Sequence, residues 1–221
     1  MTLPSLLVCG PQNGWPTRQE LINLKAILLG EPRLQQFVTA IRQLPRLWPL
    51  LTTAVPELQP TKGFELLGLL VQWINDEDSF ERDLPPPNIV STPLTVIIQV
   101  VQYFQYLRDL GRTHADVLDS VQSGGIQGFC TGFLAATALA CSKDETEICE
   151  LGAVALRLAV CIGACVDLDG IFAEPPNVSE CLAVRWKTEK GRDDVNEILK
   201  QYPNVRDHCV MPPCGHELMA N

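Results

Sequence analysis

The chain has 221 residues and a formal net charge of −9, with 46% hydrophobic and 19% charged residues. This composition is typical of a globular domain and excludes an intrinsically disordered chain. The acidic balance disfavours nucleic acid as a partner, because a nucleic-acid-binding surface needs basic residues. We expect no membrane partner, because the sequence suggests no apolar run of bilayer length and no basic segment of a signal peptide at its start.

The first half of the chain predicts one short strand followed by helices. Residues 5–9 are an apolar run before a Gly-Pro turn, which indicates a buried strand. Thr17, with Glu20 three residues later, predicts the capped start of a helix that ends at Gly30. The later predicted helices share an apolar stripe and run from Pro32 to about Leu44, from Gly63 to Ile74 with Phe64 in the stripe, and from Pro93 to about Leu110.

The second half predicts a different local pattern. A glycine-rich run at 124–129 followed by an Ala-rich stretch at 133–141 indicates a strand, a tight turn and a helix. A long, largely buried helix is expected from Glu145 to about Val166, and then a strand at 182–187 and a short helix at 193–201. The order of strand, helices, strand and helix predicts a helix-rich α/β fold. The last residues, 205–221, lose all periodicity and are predicted to form an irregular tail.

The nine cysteines are odd in number, which argues against a framework of paired disulfides. Cys141, Cys161 and Cys165 lie inside apolar helical patterns, where a free cysteine behaves as a small buried hydrophobe. We therefore predict reduced, buried thiols at these positions and a cytoplasmic protein.

The residues 128–132, Gly-Phe-Cys-Thr-Gly, carry the candidate chemistry. They match the pattern Gly-x-nucleophile-x-Gly, with Cys130 where serine is commoner. Gly128 and Gly132 would allow a sharp turn from strand into helix, and the helix N-terminus would favour the reactive thiolate. The amide of Thr131 could donate to an oxyanion. The alternative is a chance pattern around a cysteine that only fills space.

Several segments together resemble the starter-unit acyltransferase domain of fungal non-reducing polyketide synthases, which belongs to the malonyl-transacylase-like acyltransferases. The resemblance covers residues 1 to about 204, which we take as one partial domain. The segments that carry it are Gln127–Leu134, Ala155–Gly163 with Val166 and Asp167, Ala183–Trp186, Ile198–Leu199 and the early turn Gly10-Pro11-Gln12.

The resemblance implies an acyltransferase large subdomain with a nucleophile elbow, followed by a ferredoxin-like small subdomain that is incomplete here. It implies that Cys130 takes an acyl starter unit from coenzyme A, or from a carrier protein of a fatty acid synthase, and passes it to the acyl carrier protein of a polyketide synthase. The amides of Gln12 and Thr131 would hold the oxyanion, although Gln12 could instead be a simple polar turn residue. The thioester is the substrate, and no bound cofactor or metal is implied.

The acyl group is expected to be uncharged. Extender-unit relatives carry an arginine that pairs with the malonyl carboxylate, and an ungapped comparison places Ala159 at that position. Arg157, two residues earlier, would then be a solvated or structural charge. An acetyl or medium-chain fatty acyl group fits this arrangement.

The chain also departs from the family pattern, because the region that should supply the catalytic histidine is not recognisable after residue 204. His114 is expected to be solvent-exposed near a helix end, and His208 and His216 lie in the tail. None of the three is assigned as the general base, which stays unknown. We expect a truncated or decayed product, so the alternative function is a catalytically inactive remnant or interaction module.

The sequence supports two other hypotheses, zinc binding and ester hydrolysis, less well. His208, Cys209, Cys214 and His216 lie within nine residues, but zinc sites usually present two regular ligand pairs on a scaffold, so no metal is predicted. Ester hydrolysis of the serine-hydrolase type would need a serine nucleophile with an acid–histidine pair, and the sequence offers none.

Overall fold

A computed structural model of the chain describes residues 4–11, 16–75, 86–172 and 188–200. Its elements are the strands β1 (Leu7–Cys9) and β2 (Ile126–Gly128) and the helices α1 (Arg18–Gly30), α2 (Gln35–Gln43), α3 (Trp48–Ala54), α4 (Gly63–Asn75), α5 (Asn88–Leu110), α6 (His114–Ser120), α7 (Gly132–Cys141), α8 (Glu145–Phe172) and α9 (Glu189–Lys200). Short 3-10 segments at Pro32–Leu34, Leu44–Leu47 and Pro56–Thr61 connect α1 to α4. The described chain is therefore a helix-rich α/β fold, as predicted.

The two strands form one parallel pair. Leu7 lies opposite Ile126 and Cys9 lies opposite Gly128. The Phe129 N–H extends this ladder by donating to the Cys9 carbonyl at 3.0 Å. The strands predicted at residues 5–9 and 124–129 are confirmed, and their carboxyl ends lie next to each other, where parallel sheets commonly carry ligand sites.

The predicted start of α1 is confirmed in atomic detail. The Thr17 hydroxyl accepts from the Glu20 N–H at 3.3 Å, and the Glu20 carboxylate accepts from the Thr17 N–H at 2.7 Å. This reciprocal capping box satisfies two N–H groups that a helix start leaves free. It also lowers the pKa of Glu20, because the backbone hydrogen bond from Thr17 stabilises the carboxylate.

Helix α5 is the central helix and packs against α8, α4, α7 and α1. It begins at Asn88, five residues before the predicted start at Pro93, so that boundary was wrong. The Asp167 carboxylate of α8 accepts from the N–H groups of Asn88 at 2.9 Å and Ile89 at 2.8 Å. A cap supplied from another helix thus replaces the local capping residue that the sequence lacks.

Helix α8 is only partly buried, which corrects the prediction of a largely buried helix. Four apolar residues spaced by one turn are exposed: Val154, Leu158, Ile162 and Val166. Residues Glu145–Leu168 are long and apolar enough to cross a membrane, with 44% of the most apolar window buried. The expectation that no run reaches bilayer length was therefore wrong. A core helix passes the same test, and α8 packs along α5.

Among the remaining predictions, one is wrong, one is confirmed and two lie outside the described residues. Phe64 was predicted in the apolar stripe of α4, but it is 53% exposed, whereas Leu67, Leu70 and Ile74 of that stripe are buried. The short helix predicted at 193–201 is confirmed as α9. The predicted strand at 182–187 and the predicted tail at 205–221 lie outside the described residues.

The chain divides into two compact units, Met1–Pro176 and Asn177–Asn221. The first unit holds both strands, α1 to α8 and the core. The second unit contributes α9 to the described residues, with Arg192 paired to Glu189 at 2.7 Å on its surface. The domain boundary near residue 204 stays a prediction.

Candidate active site

Cys130 lies in the turn between β2 and α7 with an unusual backbone conformation. Its φ is +55°, in the left-handed region that side chains disfavour. The Gly132 N–H donates to the Phe129 carbonyl and the Phe133 N–H donates to the Cys130 carbonyl, each at 3.0 Å, and these bonds close the turn. A residue held in this region costs roughly 1–3 kcal/mol, so the surroundings must enforce it.

The two flanking glycines make the turn sterically possible. A Cβ atom on Gly128 would overlap the Phe133 Cα, and a Cβ atom on Gly132 would overlap the carbonyl oxygens of Gly10 and Cys9. All of these neighbours are backbone atoms, which cannot rotate away as a flexible side chain can. Both glycines are therefore required for β1, β2 and α7 to meet at this distance.

The Cys130 thiol is exposed at the N-terminal end of α7. Its Sγ lies 3.8 Å from the Thr131 Oγ1, the one side-chain contact of this kind at the turn among the described residues. No described group accepts from the Thr131 N–H. The positive end of the helix dipole stabilises negative charge that develops beside it, and a free N–H at this position suits an oxyanion.

The carboxyl end of β1 contacts this turn. The Gly10 carbonyl abuts the first residue of α7, because a Cβ on Gly132 would overlap it. Gln99 of α5 donates its Nε2–H to the same carbonyl at 2.6 Å. Gln12, the second predicted oxyanion residue, lies outside the described residues, so its place is not part of this geometry.

Gln99 is a residue that sequence reasoning missed. It lines a cavity of about 1050 Å³ between β1, α1 and α5, together with Gly10, Leu94, Ile98 and Tyr103. The available signal was a lone amide side chain inside the aliphatic run Val96–Val101. A polar residue in such a run needs a hydrogen-bond partner when it folds inward.

Three of the other five described cysteines are less exposed than Cys130. Burial raises the pKa of Cys9 and of Cys149 to about 11, so both are protonated thiols near neutral pH. Cys161 is half-buried, and burial raises its pKa as well. Cys141 and Cys165 are exposed, which corrects the expectation that they are buried. All six described cysteines are free thiols.

His114 is fully buried, with 0% of its surface exposed, so the prediction of an exposed histidine was wrong. The Tyr103 hydroxyl lies 2.6 Å from Nδ1 and the Ser142 carbonyl lies 3.1 Å from Nε2. A carbonyl only accepts, so Nε2 carries the proton and Nδ1 accepts from Tyr103. Both ring nitrogens are thus occupied, and His114 is a structural brace. His208 and His216 lie outside the described residues.

The two residues of α8 that were considered for the acyl carboxylate differ clearly in solvent exposure. Arg157 is exposed, whereas Ala159 is fully buried in the core. The guanidinium is therefore a solvated charge, which was one of the two outcomes considered. As for metals, the part of the chain that the structure describes holds no group of three potential His, Cys, Asp or Glu ligands. The four tail residues considered for zinc lie outside it.

Comparison with known proteins connects this site to one family. A family model described as "Starter unit:ACP transacylase in aflatoxin biosynthesis" matches residues 31–189, which include Cys130. The chain is 44% identical over 200 residues to the 5-methylorsellinic acid synthase of Aspergillus terreus, covering 90% of this chain and 8% of that protein. It is 40% identical over 210 residues to the non-reducing polyketide synthase spyA of Aspergillus fumigatus, covering 92% and 11%.

A third relative is the non-reducing polyketide synthase esdpA of Penicillium shearii, 36% identical over 225 residues that cover 100% of this chain and 10% of that protein. The chain thus spans about a tenth of the length of these relatives.

Proposed function

Since the chain belongs to the starter unit:ACP transacylase family, we propose that it transfers an acyl starter unit to an acyl carrier protein of a polyketide synthase, through a thioester on Cys130. The observation that carries this proposal is the exposed Cys130 thiol, held with positive φ at the N-terminus of α7 between two glycines that cannot be replaced without overlap. The turn at Cys130, between a strand and a helix and with a glycine on each side, supports the proposal because a nucleophile elbow requires this arrangement.

Two thioester exchanges make up the proposed reaction. The Cys130 thiolate attacks the carbonyl carbon of the donor thioester, and the tetrahedral oxyanion collapses to release the donor thiolate. The phosphopantetheine thiolate of the carrier protein then attacks the acyl–Cys130 thioester and regenerates the Cys130 thiolate. The atoms balance without a metal or a redox cofactor. The donor is an acyl-coenzyme A or an acyl carrier protein of a fatty acid synthase.

The oxyanion needs donors close to Cys130. The Thr131 N–H is adjacent and donates to no described partner, and the resemblance assigns the second donor to the Gln12 amide. Removal of one such donor typically costs about 3 kcal/mol of transition-state stabilisation. Because Ala159 is buried and Arg157 is solvated, the favoured starter unit is uncharged, and a cytoplasmic location fits free thiols.

A second candidate function is a non-catalytic acyltransferase-like module. The observation that favours it is the environment of His114, the one histidine among the described residues, whose ring nitrogens are both engaged in the core. Without a general base, acylation of Cys130 would lose a factor of about 10² to 10⁴. Specific acylation of Cys130, even if it is slow, would support the transferase, and its absence would support the non-catalytic module.

The test is intact-protein mass spectrometry after incubation with acetyl- and hexanoyl-coenzyme A, with peptide mapping of the adduct. Cys130→Ala should abolish the adduct. The matched control is Cys141→Ala, because Cys141 is an exposed thiol at the opposite end of the same helix and its loss should leave the adduct intact. A folded wild-type protein without an adduct at Cys130 would overturn the transferase and support the non-catalytic module.

A further inference from the structure

We propose that Gln99 is a positioning residue of the acylation site. This inference rests on the proposed function. Gln99 holds the carboxyl end of β1 against the turn that carries Cys130.

The backbone of Gln99 is firmly placed. It lies within α5, whose N-terminus is capped by the Asp167 carboxylate. At the other end, Gly111 adopts a left-handed conformation and donates to the Arg108 carbonyl at 3.0 Å. The helix between these caps packs against four other helices. A side chain anchored on this helix can therefore define the position of a loop.

The side-chain amide of Gln99 has one fixed orientation. Its Nε2–H donates to the Gly10 carbonyl at 2.6 Å, across 89 residues of sequence. The reverse orientation would place the Gln99 Oε1 against another carbonyl oxygen, and neither atom could donate. As oriented, Oε1 is buried without a hydrogen-bond partner among the described residues. The fold accepts this unpaired oxygen, a rare arrangement, to keep the bond to Gly10.

The Gly10 carbonyl transmits this position to the reactive turn. It lies so close to the first residue of α7 that a Cβ on Gly132 would overlap it, and Gly132 is two residues from Cys130. Gln99 thus sets the distance between the end of β1 and the Cys130–Thr131 turn, and small displacements of such groups cost large factors in rate.

Gln99→Met tests this role, with Gln102→Met as the matched control. Gln102 is the same residue type one turn further along α5 and lines the same cavity. Two reactions of Cys130 are measured: acylation by hexanoyl-coenzyme A, which passes through an oxyanion, and alkylation by iodoacetamide, which does not. We expect Gln99→Met to slow acylation by about 10- to 100-fold, with the alkylation rate within twofold of wild type and the Gln102→Met variant unchanged in both.

Gln99→Glu supplies a pH signature that a merely structural residue would not show. The protonated carboxyl group can still donate to the Gly10 carbonyl, whereas the ionised form only accepts and repels it. Burial raises a carboxyl pKa above its ordinary value of about 4.3. We therefore expect the acylation rate of this variant, relative to wild type at the same pH, to fall as the pH rises from 5.5 to 8.5.

The possible outcomes distinguish a failure of the positioning role from a failure of the proposed function. Wild-type acylation at Cys130 with equal acylation of Gln99→Met overturns the positioning role alone. Equal slowing of acylation and alkylation by Gln99→Met overturns it too, because the thiol itself is then disturbed. A relative rate of Gln99→Glu that is flat with pH has the same consequence. No wild-type acylation overturns the proposed function, and this inference with it.

Discussion

The two ends of helix α7 are held in place by different kinds of contact. At the N-terminal end, backbone meets backbone: Gly132 contacts the carbonyls of Gly10 and Cys9 with no room for a side chain. At the C-terminal end, side chains make the connections. Ser142 donates its hydroxyl to the Ala138 carbonyl at 2.6 Å, and its own carbonyl accepts from buried His114.

These different contacts determine which residue is available for chemistry. Close backbone packing at the N-terminal end leaves the Cys130 side chain pointing away from the contacts and exposed. Side-chain packing at the C-terminal end consumes the hydrogen-bonding capacity of His114, a residue type that often serves as a base. The environment, more than the residue type, therefore decides that Cys130 is the candidate for reaction and His114 is part of the scaffold.

The largest effect is expected from Gly132→Ala. The added methyl group would overlap two carbonyl oxygens of the backbone, so β1 and α7 must separate. We expect the free energy of unfolding to fall by about 3 kcal/mol and acylation of Cys130 to be lost. Denaturant unfolding and adduct mass spectrometry measure the two effects.

Gly68→Ala is the control for that substitution. Gly68 also lies in a helix, but nothing lies within 4 Å of an added Cβ. The same methyl group should therefore raise the stability by about 0.5–1 kcal/mol, as alanine is the better helix former. If Gly132→Ala unfolds at the same denaturant concentration as Gly68→Ala, the close approach at the N-terminal end is not a constraint.

At the C-terminal end, His114→Ala should destabilise without changing the reactivity of Cys130. The substitution leaves the Tyr103 hydroxyl and the Ser142 carbonyl without their partner, which costs about 2 kcal/mol for buried polar groups. Tyr103→Phe, which removes one of these bonds, should cost about half as much. Thermal unfolding and iodoacetamide labelling of Cys130 are the measurements. A folded His114→Ala protein that no longer acylates Cys130 would contradict this purely structural role.

The N-terminal end of α7 could be predicted from the sequence because its determinants are local. Gly128, Cys130 and Gly132 lie within five residues, and the steric needs of a strand–turn–helix connection follow from their spacing alone. The capping box of α1 at Thr17 and Glu20 was predictable for the same reason. The capping box is satisfied by neighbouring residues, whereas Gly132 also meets the remote carbonyls of Cys9 and Gly10, which the local pattern does not contain.

The features that were mispredicted depend on remote partners. Buried His114 forms hydrogen bonds with Tyr103, 11 residues before it, and with Ser142, 28 residues after it. No local sequence pattern contains both of these partners. The start of α5 was placed too late because its cap, Asp167, lies 79 residues away from Asn88. Gln99 was missed for a related reason, since its acceptor is the carbonyl of Gly10.

The smallest effect compares two thiols at the two ends of the same helix. Cys130 precedes the first turn of α7 and Cys141 is its last residue, and both are exposed. The helix dipole stabilises negative charge at the first position and opposes it at the second, by about 0.3–1 kcal/mol at each end. We therefore expect Cys130 to react with iodoacetamide roughly threefold to thirtyfold faster than Cys141 near neutral pH.

Quantitative peptide mapping during alkylation gives both rates in one sample, so folding and reagent concentration are shared. Raising the salt concentration to about 1 M should narrow the difference, because both groups face solvent and the Debye length falls to about 3 Å. If Cys141 reacts as fast as Cys130 at low salt, the helix terminus contributes nothing to the thiolate. The proposed reactivity of Cys130 would then depend on its backbone geometry and the neighbouring Thr131 amide alone.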